Sequence, residues 1–368
     1  MKDEREWYYM LQAYYRNKVT EKMISNNGIP IGLNPLYVGF KVTEKCNQNC
    51  IHCWSGKSKI DYSLDDIKKA MNKVSLFKPL NFTITGGEPF IREDIIEIIS
   101  SATYLFPMIE IFTNGYLLDL DRIMIIKKLL RENDFVQISL DGLKKNYEIQ
   151  RGAQHFDKVI ENISLLVEND INVRLHMTVT KYNIDDIIEV YELAKQLGVH
   201  TFSIHYVAPI RKGEKVWEEE CLIMYEKYID IINKKHSNKI PMVLRSFKPL
   251  EIQSKYAKEK NNFINREALV FNNEILHWTI NAEGDIFNFI DHNKFEELAI
   301  GNIYNDDVER LDCNNNRVQK ILTIRELSGT KCFKCSLLTQ CQGGEYIENY
   351  PNINVPDKKC KFELMSKR

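Results

Sequence analysis

This chain of 368 residues has no excess of either charge: 50 Lys and Arg stand against 51 Asp and Glu, a net charge of -1. Nothing therefore draws it electrostatically to a nucleic acid or a membrane surface, and neither is expected as a partner. It lacks an apolar run of about 18 residues, the length needed to cross a bilayer. Its first residues, Met1-Lys-Asp-Glu-Arg-Glu-Trp7, alternate charges where a secretory signal carries an apolar core, so a cytoplasmic location is the expectation. It has no internal repeat and no low-complexity segment. Nor are its 9 cysteines spread as a disulfide framework would spread them. Three cluster near the start and four near the end, with two isolated, which is the distribution of metal ligands.

The first cluster is Cys46-Asn-Gln-Asn-Cys50-Ile-His-Cys53. A C-x3-C-x2-C run supplies three thiolates to a four-iron cluster and leaves one iron without a protein ligand, since no fourth cysteine follows nearby. It sits in an alternation of short apolar runs and amphipathic stretches from residue 37 to about 236. Six runs rich in β-branched and aromatic residues read as strands: 36–42, 80–85, 108–113, 135–140, 173–179 and 200–207. Apolar residues at 156, 159, 160, 163, 166 and 167, and again at 184, 187, 188, 191 and 194, trace helical faces, with Gly198 as a C-cap and Ser63 opening an earlier helix. Six β/α units are two short of a closed eightfold barrel. The predicted fold class is therefore α/β, a partial (β/α)6 TIM-like barrel, in which ligands gather at the carboxyl ends of the strands. The cysteine run follows the first strand at that end.

Thr85-Gly-Gly-Glu-Pro89 follows the second strand. Paired glycines let a backbone approach a ligand closely, and a neighbouring carboxylate can hold an ammonium group; alone, the sequence also reads as an ordinary β-to-α turn. Together the two motifs point to one pocket. C-x3-C-x2-C after strand one with G-G-E-P after strand two resembles the radical S-adenosylmethionine (SAM) superfamily. The resemblance implies that the open iron chelates SAM, that one electron cleaves SAM to a 5'-deoxyadenosyl radical, and that this radical takes a hydrogen atom from substrate. It implies a 4Fe-4S cluster on Cys46, Cys50 and Cys53, and SAM contacts from Gly86, Gly87, Glu88 and Pro89. It further implies contacts from Asn114 in Thr113-Asn-Gly115, from Ser139 and Asp141 toward the ribose, from Arg151 toward the SAM carboxylate, and from the ring of His52 near the adenine. An electron donor such as flavodoxin or ferredoxin is expected. An ordinary turn at Asp141-Gly142 and a solvated loop charge at Arg151 are the plain alternatives.

Near the other end, Cys332, Cys335, Cys341 and Cys360 are spaced C-x2-C-x5-C-x18-C. Four thiolates suit tetrahedral zinc as well as a 4Fe-4S cluster. After such a barrel the spacing resembles SPASM and twitch domains, which implies one auxiliary 4Fe-4S cluster. The chain departs from the full SPASM pattern, because Glu345 and Phe289 stand where two further cysteines belong, so a near auxiliary cluster is not expected. Cys221 falls in an apolar stripe at 217, 221, 224, 225, 228 and 232 and reads as a packed helix residue; the alternative is a thiol that returns a hydrogen atom to a substrate radical. Cys313 reads as structural.

The expected organisation is a helical extension over 1–36, the barrel over 37–236, a bridge over 237–265 and a SPASM/twitch-like iron-sulfur domain over 266–368. The extension, with Trp7, Tyr8, Tyr9, Tyr14 and Tyr15, reads as a helix with a buried face and is too short for a separate leader-binding module. The resemblance implies an enzyme that modifies a ribosomally made precursor peptide by cross-linking, oxidation or epimerisation. Modification of a tetrapyrrole side chain or a small-molecule alcohol is the alternative within enzymes, and a cluster-binding electron-transfer or scaffold protein is the alternative outside them.

Overall fold

The computed structural model describes residues 32–55, 61–208, 211–235, 242–244, 269–271, 273–288, 295–322, 324–327, 329–334 and 350–355. The extension up to residue 31 and most of the bridge lie outside the described residues.

The six expected strands form, with boundaries within one residue: β1 (Tyr37–Lys41), β2 (Asn81–Thr85), β3 (Met108–Thr113), β4 (Phe135–Ser139), β5 (Val173–Val179) and β6 (Thr201–Tyr206). All are parallel and paired in sequence order. Helices α1 (Leu64–Ser75), α2 (Ile95–Leu105), α3 (Leu120–Leu129), α4 (Lys144–Arg151), α5 (Phe156–Glu168) and α6 (Ile187–Gln196) lie in the connections. α1 shows why such segments coil. The Ser63 hydroxyl accepts the Asp66 amide at 3.2 Å, Asp65 and Asp66 favour the positive end of the helix dipole, and Ile67, Ala70, Met71 and Val74 form one buried stripe. Gly198 ends α6 at φ +71°, the left-handed position expected of it.

The sheet runs further than six strands. After α7 (Glu219–Lys235), Met242–Leu244 within the expected bridge forms β7, parallel to β6. At the other edge, β9 (His277–Ile280) pairs in parallel with β1 and continues into antiparallel β10 (Asp285–Phe287) and β11 (Gly301–Asn302). A small separate pair joins β8 (Leu269–Phe271) to β12 (Ile324–Glu326). The carboxyl-terminal hairpin is thus laid directly on the first barrel strand. Lys73 of α1 donates to the carbonyls of Ile303 and Asp306, both at 2.8 Å, and Asn315 and Gln319 of α8 (Val308–Leu322) bind both backbone groups of Leu33. Trp278, fully buried, donates its indole N–H to Asn315 at 3.2 Å.

The core lies between the sheet and its helices. Val38, Phe40, Phe82, Ile84, Ile109, Ile111, Val136, Ile138, Leu175 and Phe202 point into it and are wholly buried. The alternate residues face the concave side. That side is polar.

Candidate functional site

The cysteine loop leaves the end of β1 and is clamped by backbone hydrogen bonds to neighbouring connections. Gly87 N–H donates to Thr43 O and Glu88 N–H to Lys45 O, both at 2.8 Å. From the other side, Asn49 N–H donates to Arg151 O at 3.2 Å and Ile51 N–H to Gln150 O at 2.9 Å. Lys212, after β6, reaches Asn49 Oδ1 at 2.7 Å. The clamp explains Gly86 and Gly87. A Cβ on Gly86 would stand 2.5 Å from Thr43 O, and one on Gly87 would overlap Lys45 O, so these glycines let one loop backbone press against another.

Glu88 is turned inward and fully buried. Its carboxylate accepts from Phe90 N–H at 3.0 Å, Thr113 hydroxyl at 2.7 Å and Asn114 N–H at 2.7 Å, tying the end of β2 to the end of β3. Burial holds its pKa above the ordinary carboxylate value, although these donors work the other way. Pro89 is buried in the short 3-10 turn that follows. Asn114 donates from Nδ2 to Asn47 Oδ1 at 2.7 Å, which places it directly against the cysteine loop.

Asp141, at the end of β4 and wholly buried, organises the opposite wall. Its Oδ2 lies 2.6 Å from Arg151 Nη2 and 3.3 Å from His52 Nε2, while Oδ1 accepts Thr178 N–H at 2.7 Å. Arg151 Nη1 in turn points at Cys50 Sγ, 3.7 Å away. Burial opposes the Arg151 charge, but Asp141, Cys50 and Tyr147 together outweigh it and hold the pKa above its ordinary value; burial also lowers that of His52. An ordinary turn at Asp141-Gly142 and a solvated loop charge at Arg151 do not describe this buried pair. Ser139 sits half-buried on the concave face at the same strand end.

Cys46 is exposed, Cys53 half-buried and Cys50 buried, and none forms a disulfide. Burial pushes the Cys46 thiol up to about 11 and raises that of Cys50. A metal binds thiolates, so ligation would release these protons. Among the described residues no three His, Cys, Asp or Glu side chains converge on a point that would hold a single ion. Three thiols on one loop suit instead a cluster in which each sulfur binds its own iron. Asn47 Nδ2 and Arg151 Nε, both beside this loop, are buried without a hydrogen-bond partner, which fits a polar group that the protein atoms alone do not supply.

Of the second cysteine group only Cys332 is described; it is buried in the turn Lys331–Lys334, and Cys335, Cys341, Cys360, Phe289 and Glu345 lie outside the described residues. Cys221 is buried on α7, 3.9 Å from Glu218 Oε2. Burial and that carboxylate keep its thiol pKa raised, so it stays protonated at neutral pH. Cys221, Tyr225 and Ile232 bear out the predicted stripe, whereas Met224 is exposed. Cys313 is exposed on α8, which does not support a packing role.

Residues unsuspected from sequence also face this end of the barrel. Lys41, the last residue of β1, is buried against Glu44 at 3.0 Å and lies 4.2 Å over the Trp54 ring. His176 and His205 lie side by side on β5 and β6 with ring centroids 4.7 Å apart, and His176 Nδ1 is 3.0 Å from Ser203 Oγ. The signal that finds them is the strict alternation in Val173-Arg-Leu-His-Met-Thr-Val179 and Thr201-Phe-Ser-Ile-His-Tyr206. A parallel strand covered on both faces reads as continuously apolar, so polar residues at every second position mark an open face.

Comparison with known proteins agrees with this geometry. Residues 40–194 match the Radical SAM superfamily. The AdoMet-dependent heme synthase of Methanosarcina barkeri is 28% identical over 191 residues, 49% of this chain and 53% of that protein. The antilisterial bacteriocin subtilosin biosynthesis protein AlbA of Bacillus subtilis is 27% identical over 227 residues, 58% of this chain and 50% of that protein. The chain thus spans about half the length of these curated relatives. Among solved structures, Streptococcus suis SuiB bound to precursor peptide SuiA superposes with a TM-score of 0.70 at 20% identity, over 96% of this chain and 81% of that one.

Proposed function

We propose, from the radical SAM domain that this chain carries, that the protein cleaves SAM reductively and abstracts a hydrogen atom from a precursor peptide. Cys46, Cys50 and Cys53 would hold the 4Fe-4S cluster. When bound, that group supplies the electron that breaks a carbon–sulfur bond of SAM and so generates a hydrogen-abstracting radical. The carrying observation is the double clamp on the cysteine loop. Gly86, Gly87 and Glu88 pin one side, and Gln150 and Arg151 pin the other, so the loop that carries the three thiols is held from both sides.

The residues around the loop have distinct tasks in this reading. Glu88, anchored by Thr113 and Asn114, shapes the loop that presents Gly86 and Gly87 to the SAM amino group, with Pro89 behind it. Arg151 sets a buried positive charge beside Cys50, held there by Asp141, whose carboxylate His52 also meets; Ser139 and Asp141 are the expected ribose contacts. Asp141 takes Nη2, while Nη1 faces Cys50 and Nε has no hydrogen-bond partner, so the guanidinium keeps donors for a thiolate and a bound carboxylate.

Cys332, Cys335, Cys341 and Cys360 would hold one auxiliary 4Fe-4S cluster within the segment 266–368, with 237–265 as the bridge from the barrel at 37–236. Cys221, protonated and close behind β6, would act as hydrogen-atom donor if the product is an epimer. The electron donor would be a flavodoxin or ferredoxin in the cytoplasm; no described helix is long and apolar enough to cross a membrane. The similarity to AlbA supports a peptide substrate, and the similarity to the heme synthase supports a tetrapyrrole as the second reading.

Anaerobic reconstitution followed by reductant and SAM tests the central claim. The expected result is release of 5'-deoxyadenosine, lost in Cys50→Ala, with about eight irons per chain. No cleavage under any reductant would leave a cluster-binding scaffold. About four irons with zinc would remove the auxiliary cluster. A Cys221→Ala enzyme that still gives inverted product would take the thiol out of the mechanism.

A further inference from the structure

Backbone clamps grip the body of the cysteine loop, and a side-chain network ties its two ends together. Lys41, at the end of β1, and Glu44, just before Cys46, pair at 3.0 Å with both side chains buried. Ser55, just past Cys53, closes the network: its hydroxyl donates to Glu44 Oε2 at 2.5 Å and accepts from Lys41 Nζ at 3.0 Å. Trp54 covers the ammonium, its ring centroid 4.2 Å from Nζ. With its hydroxyl held on both sides, Ser55 turns its backbone N–H to Cys53 Sγ, 3.4 Å away. The proposed function gives Lys41, Glu44 and Ser55 no task.

We infer that Lys41, Glu44 and Ser55 are positioning residues that fix an N–H donor on the Cys53 sulfur and thereby raise the reduction potential of the cluster that Cys53 would hold. The inference rests on the proposed cluster and goes beyond it. Hydrogen bonds to ligand sulfurs help to set the potential of an iron-sulfur cluster, because a donor stabilises the more negative, reduced state. A loop amide gives that bond only while neighbouring contacts lock the loop in place. The Lys41–Glu44 pair is a firm anchor, since pulling either partner away would leave the other buried and uncompensated. Glu44 neutralises Lys41, so the pair adds no net charge and acts by holding Ser55. Cys50 has a matching arrangement on the other side of the loop, where Arg151 Nη1 stands 3.7 Å from the sulfur and Asp141 holds the guanidinium.

The test is a redox titration of the anaerobically reconstituted full-length enzyme, followed by electron paramagnetic resonance. The signal that changes on addition of SAM is read, which separates the open-iron cluster from a second one. In Ser55→Ala the ratio of reduced to oxidised cluster at the wild-type midpoint should fall about tenfold, a midpoint about 59 mV lower for a one-electron couple. Ser55→Thr, which keeps the hydroxyl, should restore the wild-type midpoint. Lys41→Met combined with Glu44→Met leaves the net charge unchanged and should lower the midpoint as Ser55→Ala does. The titration reads only clusters that are present, so a variant that loads less iron still gives a midpoint. A wild-type midpoint in Ser55→Ala or in the double variant would overturn the inference, as would a Ser55→Thr midpoint as low as that of Ser55→Ala. A lower melting temperature with an unchanged midpoint would mark the network as a structural brace and overturn it too. A wild type with no SAM-responsive signal would sink the proposed function and this inference together; a SAM-responsive signal indifferent to Ser55 sinks this inference alone.

Discussion

The two faces of the barrel sheet are made by the same strands and differ in almost everything else. On β5, Val173, Leu175, Met177 and Val179 are buried against helices, while Arg174, His176 and Thr178 between them face the concave side. On β4, Val136 and Ile138 are wholly buried, and Gln137 and Ser139 are their polar neighbours. One face removes apolar area from water and holds the fold together. The other carries polar groups that bury little apolar area. A change on the concave side therefore removes less buried apolar area than one on the helix side. The mouth itself is the exception, because there the buried pair Asp141–Arg151 serves both purposes.

That exception predicts the largest stability effect. Asp141→Asn should cost about 3–5 kcal/mol in denaturant unfolding, because it leaves a buried guanidinium without its acid, and it should lower iron retention at the cysteine loop. A variant as stable as wild type would mean that Arg151 finds another partner. Next comes the contrast between faces. Ile138→Ala should cost about 2–5 kcal/mol, and Gln137→Ala on the same strand under about 1 kcal/mol. Equal losses would break the comparison.

Gly87→Ala should follow, with a modest loss of melting temperature and a marked loss of bound iron, because the added methyl drives the cysteine loop off the end of β2. Unchanged iron content would show that the clamp does not position the thiols. The smallest effect concerns pH. Burial holds the Glu88 pKa above its unfolded value, so its contribution favours the fold below about pH 4.3, the unfolded pKa, and is lost as pH rises through the folded value. Glu88→Gln should flatten that decline in urea unfolding series between acid and neutral pH. An unchanged slope would assign it to other groups.

Local chemistry was the legible part. The cysteine spacing, six strands, the Ser63 cap and the Gly198 stop are written within a few residues of one another, because each depends on short-range geometry. The partners of the motif residues were not. Gly86 and Gly87 read as space for a ligand, yet the atoms they make room for first are those of Thr43 to Lys45, some forty positions earlier. The histidines escaped notice because each sits alone in its own strand, and only the β5–β6 register brings them together.

By itself the sequence determined which backbone segments extend or coil and which thiols occupy one loop, since periodicity, caps and covalent spacing act within a turn or a strand. Only the tertiary structure decided that β9 would lie on β1, that Glu88 would be enclosed by β3, and that Asp141 would join Arg151 and His52 beside Cys50. Those contacts join residues far apart in the chain. Their free energy is realised only after the sheet has formed and excluded water from between them, and no local pattern encodes that exclusion.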